Sequence, residues 1–79
     1  MEKRTFAEIA KDIRNNWNKV NYAAEPYLEA MECLHHSDPF KLYGYETAES
    51  IVLYFLANAS TFRGQEARRI KAELKAMLK

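Results

Sequence analysis

Residues 51–57 read IVLYFLA, seven apolar side chains in succession. Such a run leaves no polar face, whether it is wound into a helix or extended as a strand. A buried strand needs partners, and the chain offers no second strand-forming segment. The flanking ETAES and ANAS are compatible with a helix. The run therefore predicts a helix over about 46–59 that is apolar all round, and so buried at the centre of the domain.

Other elements must cover it. Only two Gly and two Pro punctuate the 79 residues, which points to helices with short joints. Thr5 with Glu8 three residues on is a capping-box pattern and opens a first helix. Phe6, Ile9, Ala10, Ile13, Trp17 and Val20 fall on one face of it, with Glu8, Lys11, Arg14 and Lys19 turned away. A second helix runs from about residue 22 or 24 to 35, with Pro26 in its first turn and Asn21 or Glu25 as its cap. Ala24, Tyr27, Leu28, Met31 and Leu34 make its apolar side, and Glu25, Glu29 and Glu32 form one outward row. A last helix follows Ser60 or Thr61. It buries Ala67, Ile70, Leu74, Met77 and Leu78, and carries Arg68, Lys71, Lys75 and Lys79 on an adjacent stripe. The expected fold is all-α: a compact four-helix domain with a central buried helix, one single helical domain over residues 1–79.

HSDPFKLYGY, residues 36–45, is the one substantial loop. Asp38 precedes proline and is forced out of helical geometry, while Gly44 permits a turn. The loop carries Phe40, Tyr43 and Tyr45 among polar neighbours. These aromatics either fold back as a lid over the core or stand out as interface anchors.

A chain this short buries roughly 60% of the surface it exposes when unfolded, and its core contributes on the order of 3–5 kcal/mol. Support from a partner or a second copy fits that size. The single Cys33 forms no internal disulfide, the N-terminal MEKRTFAEIAKD lacks the pattern of a secretory signal, and seven apolar residues fall far short of the ~20 that span a membrane. The expectation is a soluble, cytoplasmic protein.

Net charge is +1, but it is segregated. Residues 1–20 hold five basic and three acidic side chains, residues 21–60 one basic and six acidic, and residues 61–79 six basic and two acidic. The basic last helix after a short joint suggests helix-turn-helix. Against that stand Gly64, expected in the first turn where base contacts are made, and an overall charge well below that of most nucleic-acid domains. Cys33, His35, His36 and Asp38 cluster, yet a structural zinc site wants a second ligand pair that the chain lacks. Glu25, Glu29 and Glu32 on an exposed face are solvated carboxylates, unsuited to acid–base catalysis. They could instead dock onto the basic stripe or onto a basic partner. No nucleophile motif, phosphate loop, metal site or cofactor site is visible, so an enzyme is not expected.

NYAAEPYLEAM, followed by YGYETAESIVLYFLANASTFRGQEARRIKAELKAMLK, resembles small uncharacterised proteins carried by phages and mobile elements of gut bacteria. The likeness runs from about Phe6 onward and carries no residue with an assigned role. It implies a setting in which short accessory proteins bind and block host machinery, nucleases of defence systems included. The expected function is thus a small non-enzymatic protein-binding module. Phe40, Tyr43 and Tyr45 would serve as anchors, and Arg63, Arg68, Arg69, Lys71 and Lys75 as steering charges. Two alternatives stay open: a nucleic-acid-binding regulator using the last helix, and a homodimer.

Overall fold

The computed structural model describes residues 3–78. Four helices carry most of these: α1 (Phe6–Asn16), α2 (Glu25–Glu32), α3 (Ala48–Ala57) and α4 (Gln65–Met77). Two short strands, β1 (Leu42–Tyr43) and β2 (Glu46–Thr47), pair antiparallel between α2 and α3. The fold is therefore mainly helical but not purely so, because the loop after α2 closes into a hairpin. Gly44 explains the hairpin. It takes φ 69° at the first of the two connecting residues, and Tyr45 after it has a negative φ, the pattern of a II′ turn whose twist matches that of paired strands.

The helices pack in the order α3–α2–α1–α4, so α3 is an outer element, not the centre. Its Ala48, Ile51, Val52 and Phe55 are buried, whereas Leu53 and Tyr54 are 52% and 48% exposed. The expectation of a helix buried on every side fails for a plain reason. Among the helices α3 packs mainly on α2, so only one of its faces is covered, and Ile51, Val52 and Phe55 fill that face.

One core joins all four helices. Trp17 stacks on Phe62 with ring centres 5.1 Å apart and meets Phe55 edge-on at 6.2 Å. Phe62 lies in the joint before α4 and is 2% exposed. No helical periodicity marks it, which is why it was absent from the expected core. The Cα radius of gyration is 11.4 Å, against about 11.6 Å for a folded domain of this length.

The segment from Leu34 to Lys41 holds two helix N-termini. At α1, the Phe6 and Ala7 amides donate to the His36 and Leu34 carbonyls at 3.0 and 2.9 Å. The Glu8 amide donates to Thr5 Oγ1 at 3.1 Å, and the Thr5 amide to the Glu8 carboxylate at 2.8 Å, completing the expected capping box. At α3, the Ala48 and Glu49 amides donate to the Lys41 and Pro39 carbonyls at 2.9 and 2.7 Å. Thr47 Oγ1 accepts from Ser50 at 3.2 Å. Amides that a helix start normally leaves to water are here tied to one loop backbone.

Three boundaries differ from expectation. α2 starts only at Glu25 and has no side-chain cap; the Asn21 carbonyl instead accepts from Ala24 and Glu25. α2 ends at Glu32, so Leu34 is buried from the segment beyond it. α4 starts at Gln65, with Gly64 as its cap residue at φ 109°, ψ −178°. Gly64 therefore lies outside the helix, and the expected weakness in its first turn is absent.

Candidate interaction surface

Seven large apolar residues among those described are exposed: Tyr22, Phe40, Leu42, Tyr43, Tyr45, Leu53 and Tyr54. All but Tyr22 lie between residues 40 and 54, on the hairpin and the outer face of α3. Phe40 is 68% and Tyr45 fully exposed. The backbone just before the hairpin therefore caps α3 while the aromatic side chains of this segment face solvent, so they do not fold as a lid over the core.

Two contacts tie this region to α2. Tyr54 stacks on Tyr27 at 5.4 Å between ring centres. Tyr43 interacts with the Cys33 thiol, which holds the phenol pKa above its ordinary value. Tyr27 and Cys33 are six residues apart, roughly 9 Å along a helix axis. The hairpin and α3 aromatics thus flank the same helix. Cys33 is exposed at the end of that helix.

The expected steering charges are divided. Arg69 binds Glu66 and Asp12, each at 3.0 Å. Lys71 donates to the carbonyls of Ala59 and Phe62, each at 2.7 Å. Burial, with the Lys75 and Arg63 charges, lowers its pKa. Arg63 Nε donates to the Ser60 carbonyl at 3.2 Å. Arg68 and Lys75 are exposed, with no hydrogen-bond or ion-pair partner among the described residues. Only part of the basic set is available to a partner.

The α2 carboxylates do not cover the α4 stripe. Glu25 and Glu32 both accept from Arg14, which points away from the apolar face of α1 as expected. A second network, Arg4 with Glu73 and Asp12, ties the segment before α1 to α4. His35, His36, Cys33 and Asp38 do not assemble, and the described residues contain no cluster of three or more metal-ligating side chains. The described residues also include no buried polar or charged residue and no helix long and apolar enough to cross a membrane.

None of the protein-family models, curated proteins and solved structures compared with this chain matches it.

Proposed function

We propose that this chain is a small, non-enzymatic, cytoplasmic protein-binding module. Its anchors are Phe40, Tyr43 and Tyr45, extended by Leu42, Leu53 and Tyr54. The observation that carries this reading is the concentration of six exposed large apolar side chains between residues 40 and 54. Small monomers seldom gather exposed apolar residues on one surface unless it is used. The α3 amides hold the Pro39 and Lys41 carbonyls, which fixes the backbone that carries the anchors and lowers the backbone entropy lost on association. The phage setting implied by the resemblance makes a host protein the natural target and stoichiometric blockade the mode of action.

The test is a pull-down from host-cell lysate with nuclease present, at low and moderate salt, comparing the native chain with a Tyr43→Ser/Tyr45→Ser variant. A protein retained by the first and lost by the second supports the module. Equal retention by both sinks it.

A second reading, nucleic-acid binding through Arg63, Arg68 and Lys75, rests on the exposure of those three side chains. It predicts retention of nucleic acid that falls steeply as salt rises. A homodimer would show in the solution mass.

A further inference from the structure

Eleven carboxylate side chains are present, and ten lie in the described residues. Asp12, Glu25, Glu32, Glu66 and Glu73 are in ion pairs with arginine. Glu8 closes the capping box. The four left over are Glu29, Asp38, Glu46 and Glu49, and they have no ion-pair partner among the described residues. Asp38, Glu46 and Glu49 lie on the loop, hairpin and α3 that also expose the apolar anchors, whereas Glu29 shares its row of α2 with Glu25 and Glu32, on the side turned to Arg14. The only cation in the sequence between Lys19 and Arg63 is Lys41. Arg14, which reaches α2 from α1, is already shared by Glu25 and Glu32. On α3, Glu49 stands four residues before Leu53 and so in the same row of the helix surface. The apolar surface is rimmed by net negative charge, Asp38, Glu46 and Glu49 against the single Lys41.

That rim discriminates among occupants. A second copy docked through the same face in a two-fold dimer would set these carboxylates against their own counterparts, and like charges brought together at an interface cost several kcal/mol. Nucleic acid is repelled for the same reason. A segment with an apolar stripe flanked by Lys or Arg satisfies both features at once.

We infer that the hairpin–α3 face docks a cationic amphipathic segment of the partner protein. Its apolar side chains lie against Tyr43, Tyr45, Leu53 and Tyr54, and its basic side chains against Asp38, Glu46 and Glu49, Glu46 standing opposite Tyr43 on one face of the hairpin. This rests on the protein-binding reading above and adds the partner's chemistry. It also moves the steering charges from the basic residues of α4 to these carboxylates.

The experiment titrates the isotopically labelled full chain with three synthetic peptides of about 18 residues, five helical turns, and follows backbone amide resonances. One peptide is a Leu/Lys helix with an apolar stripe, the second replaces every Lys by Glu, and the third scrambles the first so that no stripe forms. The expected result is that only the first moves resonances, at residues 40–46 and 49–57. A Leu53→Ser/Tyr45→Ser variant should weaken it about tenfold, and Glu46→Gln/Glu49→Gln about threefold with a flatter salt dependence. Amide dispersion confirms that each variant is folded. If the Glu peptide moves the same resonances equally, the charge assignment is overturned while the protein-binding reading stands. Self-association through the same residues would make a second copy the occupant and overturn it too. If no peptide moves the face, or all changes fall on α4, the docking site itself is refuted; the pull-down separately decides whether a protein is bound at all.

Discussion

Lys71 is folded back over Phe62: its ammonium donates to the Phe62 carbonyl at 2.7 Å and lies 5.7 Å from the centre of that residue's ring. The same ammonium also takes the Ala59 carbonyl. One side chain of α4 therefore closes the joint that follows α3, where Phe62 enters the core beneath Trp17. Lys71→Met keeps most of the stem and removes the donors. It should cost about 1–3 kcal/mol, the usual range for partly buried carbonyls left without a partner. The check is the urea midpoint, and an unchanged midpoint would show that water serves those carbonyls equally well.

Gly64 stands at φ 109°, ψ −178°, a region open in practice only to glycine. No atom lies within 4 Å of where a Cβ would be. A Gly64→Ala change therefore meets backbone strain and no clash, with an expected cost of about 1–3 kcal/mol. Thermal melts of Gly64→Ala beside Gln65→Ala separate the two, since the second residue is already helical and should change little. Equal melting temperatures would contradict the assigned cap geometry.

Acid should unfold this protein through its ion pairs. Burial opposes the charged form of Asp12, but hydrogen bonds and charge from Arg69 and Arg4 outweigh it and hold its pKa below 3.8. Arg14 holds Glu25 below 4.5. A carboxylate whose pKa is lower folded than unfolded stabilises the fold above the unfolded value, and that contribution disappears as pH falls through the folded one. The melting temperature should thus begin to drop below about pH 4.5. Asp12→Asn should flatten that decline, because the group no longer titrates. A variant with the native slope would place the acid sensitivity elsewhere.

The two faces of α3 should respond in opposite ways to truncation. Phe55→Ala empties a fully buried site beside Trp17 and should cost about 3–5 kcal/mol. Leu53→Ser, on the exposed face, should stay within about 0.5 kcal/mol. Chemical denaturation of both variants tests this, and comparable losses would restore a helix buried all round.

Much of the fold was legible in the residue pattern. The inward positions of α1, Phe6, Ile9, Ala10 and Ile13, and those of α4, Ala67, Ile70, Leu74 and Met77, are buried as their spacing indicates. The Thr5–Glu8 capping box is likewise present. The outward face of α3 was not legible, since seven apolar residues in a row hold no mark of which side meets the core. The uncapped start of α2 and the hairpin around Gly44 were missed as well. Of the candidate site, the exposure of Phe40, Tyr43 and Tyr45 was one of two open readings, and Leu42, Leu53 and Tyr54 went unnoticed as surface residues.

By itself the sequence determined what depends on neighbours within one or two turns: helical stripes, a cap formed over three residues, turns that need glycine. Such features follow from local geometry and rotamer preference, so residue order is enough. Only the tertiary structure decided which charges are spent and which are available. Arg14 meets Glu25 and Glu32 on another helix, Asp12 meets Arg69 across 57 residues, and Lys71 is turned inward to two carbonyls. Those pairings depend on how the helices are placed against one another, because electrostatic and hydrogen-bonding partners are set by distance in space. The three carboxylates that remain beside the apolar surface without an ion-pair partner among the described residues are a property of the packed molecule alone.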